Sequence, residues 1–251
     1  MNIAIPSSSL INENDEKIKA YKVWQIARYC AIFRVEKIYI YHDPRKDDSG
    51  YIKDILEYLE TPQYLRKSLF PIKKSLSYAG ALPPLAIPSH KPKHLKIGEL
   101  RDGVVRKVGP DGTLWVDVGL PALALMKGDK PKGARVTVRV CSKTPLVVEE
   151  AEPREYWGYR VEKVKLGRIL DNSVILSRRG KPISESLEEI NQNSTLLFGN
   201  PEEGVHEIAR RLKIKLDGIP SINSIPNQGT ETVRLEEAII ATLAIINSLK
   251  G

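Results

Sequence analysis

Residues 79–92, AGALPPLAIPSHKP, hold four prolines in fourteen positions. Proline fixes φ and has no backbone N–H, so neither a helix nor an inner strand passes through such a stretch. The chain is cut there, and the residue patterns on the two sides differ in kind. Before the cut they alternate. NIAIP (2–6) predicts a short strand, 13–33 a helix with Ile18, Tyr21, Ile26 and Cys30 near helical spacing, and VEKIYIYH (35–42) a second strand. A polar loop, DPRKDDSG (43–50), leads into another helix over 51–59. Strand, helix, strand implies a parallel sheet with both faces covered.

After the cut, 98–108, 113–118, 134–140 and 146–149 predict short strands, separated by turn signals such as PDG (110–112). Turns at roughly ten-residue spacing suggest a small antiparallel barrel. A second break, EAEPR (150–154), closes it, and beyond Trp157 the α/β pattern returns. SVILS (173–177) predicts a strand, 184–192 a helix capped by Ser184, 195–198 a strand, 205–212 a helix, 215–219 a strand and 233–249 the last helix. The expected organisation is one α/β domain in two halves, 1–91 and 157–251, interrupted by a barrel at 92–156.

A formal charge of +8 points to an anionic partner, with a basic surface that only aids solubility as the alternative. Its distribution favours the partner. From 61 to 98 there is no acidic residue against seven Lys/Arg, and 91–150 carries twelve Lys/Arg against seven Asp/Glu. Cys30 and Cys141 have no partner at metal-ligand spacing, and both are expected to be small buried core residues. The four histidines form no zinc pattern, so no metal site is expected. Residues 1–10 lack the apolar core of a signal peptide, and no run approaches the ~20 apolar residues of a membrane span. A soluble, cytoplasmic chain is expected.

Two glycine-bearing turns follow apolar runs that end like buried strands: LLFGNPEEG (196–204) and PNQGTET (226–232). The first has the GxxxxG spacing of a phosphate loop but lacks the Lys-Ser/Thr that follows it, and its two glutamates repel a triphosphate. Neither nucleotide hydrolysis nor dinucleotide binding is supported. Each turn alone also reads as an ordinary strand–turn–helix connection. Together, beside a final helix with an almost wholly apolar middle, they suggest a ligand held by main-chain groups.

LLFGNPEEGV resembles the strand–glycine–acidic turn of the SPOUT methyltransferases, and SIPNQGTETVRLEEAIIATLAIINSL resembles their last motif. The likeness extends to YLETPQYLRKSLFP (58–71), YAGALPPLAIPSHKPKHLKIGEL (78–100), YWGYRVEKV (156–164) and SRRG (177–180). In that order these resemble the archaeal and eukaryotic branch with an OB-like barrel inserted in the SPOUT domain, a branch described as "putative RNA methyltransferases". The resemblance implies an α/β, SPOUT-type parallel sheet with a C-terminal trefoil knot, interrupted by that small antiparallel barrel. It implies S-adenosylmethionine held bent by knot loops, and a homodimer through the knot region. Its cofactor wall falls on Leu197, Phe198, Gly199, Asn200, Glu203 and Gly204, facing Ile219, Ile225, Pro226, Gln228, Gly229 and Thr230, with Leu176 and Ser177 from the first knot loop.

Methyl transfer from a sulfonium is an in-line displacement that needs orientation and no metal. Arg179 and Arg234 are the candidates for stabilising an anionic acceptor or gripping phosphate, since an arginine does not serve as a base. Arg234 reads equally well as an ion pair with Glu237 or Glu231. No base is identified. RNA, ribosomal by resemblance and with uridine N3 as the acceptor in relatives, is expected on the barrel through Arg66, Lys67, Lys93, Lys96, Arg101, Arg106, Lys107, Lys127, Lys130 and Lys132. Trp115 reads as either a stacking ring or core. The competing function is an RNA-binding or ribosome-associated protein that keeps the fold without methyl transfer.

Overall fold

A computed structural model describes residues 1–90 and 94–250. The chain separates into two compact units, Met1–Glu57 with Ser75–Pro83 and Tyr159–Gly251, and Tyr58–Lys74 with Pro84–Gly158.

The first unit is built on six strands: β1 (Asn2–Pro6), β2 (Lys37–Tyr41), β8 (Arg160–Val164), β9 (Ser173–Pro182), β10 (Thr195–Leu197) and β11 (Ser221–Asn223). Their order is β11-β9-β10-β1-β2-β8, and every pair is parallel. Parallel strands are covered on both faces, and Ile3, Ala4 and Ile5 of β1 are accordingly fully buried. Helix α1 (Glu16–Ile32) begins at Asp15, whose carboxylate accepts from the amides of Lys17 (2.7 Å) and Ile18 (3.1 Å). It packs against the last helix, α5 (Leu235–Lys250). Its buried stripe is Ala20, Val23, Ile26, Ala27, Cys30 and Ala31, so Ile18 and Tyr21 lie outside the expected apolar face, each about half exposed. Short α4 (Val205–Arg211) covers the other side with Val205, Ile208 and Ala209, in one cluster with Ala4, Tyr41, Ile175 and Leu197.

Two expected elements are replaced. The helix over 184–192 is a pair of 3-10 turns, Ile183–Glu185 and Leu187–Glu189, broken at Ser186, where φ is −140°. Burial of Ile183 and Ile190 explains why the apolar spacing looked helical. The strand over 215–219 is a turn with Gly218 at φ +77°, and β11 starts only at Ser221. Leu216 and Ile219 still pack on the core from that turn.

The second unit contains α3 (Gln63–Leu69) and five strands, β3 (Leu100–Val108), β4 (Thr113–Asp117), β5 (Ala124–Lys127), β6 (Arg135–Lys143) and β7 (Leu146–Glu150). They close as β3-β4-β5-β7-β6, with antiparallel ladders throughout except the parallel β5–β7 contact, which departs from a purely antiparallel barrel. Val105, Leu114, Val116, Met126, Val138 and Val148 are among the side chains that fill it. Cys141 was expected in this core and is exposed, because Val136, Val138 and Val140 take the inward positions of β6 and Cys141 falls on the outward phase. Cys30 is buried as expected, and burial pushes its thiol pKa up.

A charged cluster ties the flanking segments of this unit to the barrel wall. Arg135 forks onto Glu60 (2.6 and 3.0 Å) and also reaches Asp102 (2.5 Å). The other oxygen of Asp102 accepts from Thr137 (2.9 Å) and the Trp157 indole (2.8 Å). Gly158, at φ +143°, lies so close beneath Glu60 that a Cβ there would sit 2.3 Å from its carboxylate. Among the described residues no helix is long and apolar enough to cross a membrane.

Candidate cofactor cavity

Three carboxyl-terminal strand ends of the first unit meet at one place. On β9 the ladder to β11 is interrupted: Ser221 pairs with Ile175, yet Ile222 pairs with Lys181. Residues 176–180, LSRRG, therefore leave the ladder between those two pairs. Gly180 lets the chain return, since a Cβ there would stand 2.5 Å from the amide nitrogen of Ile222.

Beyond β10, the turn 199–204 is closed by its own asparagine. The Asn200 amide donates to the Glu203 carbonyl (2.9 Å), and Asn200 Oδ1 accepts from the amides of Glu202 (2.8 Å) and Glu203 (2.7 Å). A Cβ on Gly199 would lie 2.3 Å from the Glu203 carbonyl, so this tight closure requires glycine. The two turn glutamates are neutralised. Arg45 pairs with Glu202 (2.6 Å) and Glu203 (3.3 Å), and Arg211 donates to Glu203 (2.8 Å).

Below the turn lies a polar support that the sequence did not reveal. Asp43 is fully buried. Its carboxylate accepts from Ser8 Oγ (2.5 Å) and Asn200 Nδ2 (3.4 Å), with the Arg211 guanidinium 3.6 Å away. Asn200 Nδ2 also reaches Ser8 Oγ at 3.0 Å. The Tyr41 hydroxyl donates to the Phe198 carbonyl (2.6 Å). Burial, first, and the neighbouring Asp43 carboxylate keep that phenol protonated well above its ordinary pKa. Nothing in the spacing of SSS (7–9) and HDPR (42–45) signals that they converge under residue 200.

The second turn is pinned from the other side. Ser224 Oγ is 2.7 Å from Thr242 Oγ1 of α5, and Asn223 Nδ2 donates to the Arg178 carbonyl (3.1 Å). Gln228 Nε2 donates to the carbonyls of Thr230 (2.9 Å) and Glu231 (3.1 Å), holding the glycine-bearing loop in shape.

These segments enclose a cavity of about 330 Å³, the size range of small-molecule sites. Leu176, Ser177, Phe198, Gly199, Asn200, Glu203, Gly204, Ile225 and Gln228 line it, joined by Arg178, Arg179, His206, Glu207 and Glu231. Five of the expected wall residues are not in its lining. Leu197 is fully buried behind Phe198, Ile219 packs on the core, and Pro226, Gly229 and Thr230 sit in the adjoining turn. Arg179 is at the cavity, with its guanidinium 3.5 Å from Glu207. Arg234 is not in the lining. Its amide donates to Glu237 (2.9 Å) and its guanidinium lies 3.9 Å from the same carboxylate, the ion-pair alternative weighed from the sequence.

Residues 1–246 match a family model described as "Putative RNA methyltransferase". The chain belongs to this RNA methyltransferase family. It is 32% identical to an uncharacterized protein of Halobacterium salinarum, over 96% of each chain. It is also 32% identical to the 28S rRNA (uridine-N(3))-methyltransferase of Drosophila melanogaster, covering 98% of this chain and 61% of that one. The human protein of the same description is 28% identical, over 98% of this chain and 77% of its own.

As an RNA methyltransferase the chain needs cations free to meet phosphate, and the expected donors divide by exposure. Lys67, Lys96, Arg106, Lys107, Lys127 and Lys132 are exposed. Lys127 is 3.1 Å from Asp111, and Lys130 is 2.8 Å from Glu150. Lys93 lies outside the described residues. Arg66 and Arg101 differ from the expectation because both are buried. Arg66 donates to the carbonyls of Leu59 (3.1 Å) and Thr61 (3.0 Å), supplying donors to backbone oxygens where α2 (Ser49–Glu60) ends. Arg101 is held against the Tyr64 ring and reaches Glu99 (3.1 Å).

Proposed function

We propose that this protein transfers a methyl group from S-adenosylmethionine to uridine N3 in ribosomal RNA. The observation that carries the reading is the cavity itself. Three strand-end segments surround a space with partly apolar walls at the carboxyl edge of a parallel sheet, where such folds place ligands. Membership of an RNA methyltransferase family supplies the reaction class, and the names of the Drosophila and human relatives supply the acceptor atom.

The lining fits a nucleoside thioether. Leu176, Phe198 and Ile225 offer apolar faces to a purine, and the turns at 199–204 and 223–233 offer main-chain groups to its polar edges. The cofactor, once bound, supplies an electrophilic methyl on a sulfonium. The protein's own work is to orient that group against the acceptor, an effect worth roughly 7–11 kcal/mol in the best cases. Arg178 and Arg179 sit where a guanidinium can hold phosphate or the developing imide oxygen charge. The uridine N3 proton needs an acceptor, and His206 is the lining imidazole, the side-chain type that most often serves.

The same reading takes the strand interruption at 176–180 and the two turns as the loops of a trefoil knot, and the barrel as an inserted OB-like RNA-binding module. It pairs two copies through α5, where Ala244 and Leu249 remain exposed. Calorimetric titration of S-adenosylhomocysteine into the pure protein tests the core of the proposal. One site per chain is expected, lost in an Ile225→Arg variant that fills the cavity. A folded wild type that takes up none, with or without RNA, would sink the enzyme reading and favour an RNA-binding protein on the same fold.

A further inference from the structure

Trp115 is the one aromatic residue between 98 and 148, and the structure puts it on the outside of the barrel. Its neighbours in β4 and just beyond, Leu114, Val116 and Val118, are fully buried, whereas Trp115 is half-buried on the opposite face. The register fixes its surroundings. Across from it stand Lys107 on β3 and Leu125 on β5, and Leu125 pairs in turn with Val147 on β7. An outward apolar strip, Trp115–Leu125–Val147, thus crosses three strands and ends at a cation.

Other cations gather at the same end. Lys107 Nζ lies 4.9 Å from the indole centroid. Lys127 pairs across from Thr113, one outward position along β4. The bulge between Val105 and Lys107 leaves Arg106 exposed beside them. Asp111 balances part of this charge through Lys127. Gly109 makes room for the ring, since a Cβ there would stand 2.9 Å from the indole. The indole therefore lies along the surface at the β3–β4 turn.

A large ring kept out of a core that aliphatic side chains already fill, and surrounded by lysine and arginine, has the two elements of a single-strand site. The π face takes a base by stacking, and the cations donate to the adjoining phosphates. A duplex buries its base faces and offers only phosphate and groove. We propose that the outer face of β4, centred on Trp115, is a stacking platform for an unpaired base of the RNA substrate. This rests on the RNA methyltransferase reading and narrows the substrate to a loop or single-stranded segment.

The test uses the full chain, with a labelled single-stranded oligouridine of about 12 nucleotides, within the site sizes of such barrels, and an RNA duplex of equal length. Trp115→Leu keeps apolar packing over Gly109 and removes the stacking ring, while Trp115→Phe keeps a ring. The single strand is expected to bind Trp115→Leu about tenfold more weakly and Trp115→Phe almost normally, with duplex affinity unchanged. Unaltered single-strand affinity in Trp115→Leu overturns the platform. So does an equal loss for single strand and duplex, or a wild type that binds neither. Titrating S-adenosylhomocysteine into the same preparations reads cofactor binding separately, so failure of the platform and failure of the methyltransferase reading give different results.

Discussion

Each unit of this protein builds a charged cluster on a buried carboxylate, Asp102 in one and Asp43 in the other, and the two clusters do different work. In the barrel unit, Glu60, Asp102 and Arg135 tie chain segments distant in sequence to one wall, and every partner named is a structural residue. In the sheet unit, Asp43 and Ser8 sit under Asn200, whose side chain shapes a turn that lines a cavity. Buried ion pairs are a poor source of net stability, because desolvation offsets most of the attraction. Their usual consequence is that removing one member leaves the others stranded. Loss of a member should cost stability in the barrel unit, and ligand affinity as well in the sheet unit.

The largest effect is expected from Asp102→Ala. It leaves Arg135 to Glu60 alone and strands Thr137 and the Trp157 indole at a carboxylate position that is 1% exposed. Unsatisfied buried donors cost about 1–3 kcal/mol each, and Arg135 also loses one of its two counter-charges, enough together to threaten folding of a marginally stable domain. Chemical denaturation should show that loss while S-adenosylhomocysteine affinity in the folded fraction stays within about twofold, less than 0.5 kcal/mol. A comparable fall in affinity would erase the contrast between the clusters.

Asp43→Ala is expected next, at about 1–3 kcal/mol of stability for the unsatisfied Ser8 and Asn200 groups. Unlike Asp102→Ala, it should weaken S-adenosylhomocysteine binding by about tenfold, or 1.4 kcal/mol, because the 199–204 turn loses its anchor. Asp43→Asn, which keeps an acceptor for Ser8, should recover part of both. Normal affinity in a destabilised Asp43→Ala protein would make this cluster structural as well.

The contrast bears on what a sequence reveals. The glycine turns were legible because their chemistry is local: Gly199 and Asn200 close one turn and Gln228 shapes the other through bonds spanning a few residues. The barrel was legible because Leu114, Val116 and Val118 alternate with outward residues at period two. Asp43 was not, since 157 residues separate it from Asn200 and only the parallel order β10-β1-β2 brings them together. Arg66 and Arg101 misled for a related reason. Charge in a sequence predicts exposure only until a backbone carbonyl or an aromatic ring offers a buried partner. The 3-10 turns over 183–189 show the same limit, because apolar spacing records which side chains are buried and not the conformation that buries them.

A smaller effect concerns the cations on the outside of the barrel. Lys107→Gln should weaken single-stranded and duplex RNA alike and lower the slope of log affinity against log salt by about one unit or less. Asp102→Ala, measured where the protein remains folded, should leave that slope alone, since its charge is fully engaged with Arg135 inside the unit. A slope unaffected by Lys107→Gln would remove Lys107 from the RNA-facing set.

The smallest effect is a pH dependence, confined to the barrel unit. His90 Nε2 is 2.8 Å from the Glu60 carbonyl, to which the neutral ring donates. Burial holds its pKa below the ordinary 6.5. That carbonyl and Asp102 pull it upward, and Arg66 and Arg135 push it further down. The folded protein thus binds fewer protons than the unfolded chain between the two values, so stability is complete above 6.5, declines as pH falls through it, and levels off below the folded-state pKa. Melting curves between about pH 7.5 and 5, a range spanning the ordinary histidine value, should show the decline in wild type. His90→Gln, whose amide can donate to the same carbonyl, should flatten it. His90 is not in the cavity lining, so His90→Gln should leave cofactor affinity unchanged while it flattens the melting profile. A His90→Gln protein with weakened cofactor binding would erase the contrast between the two clusters.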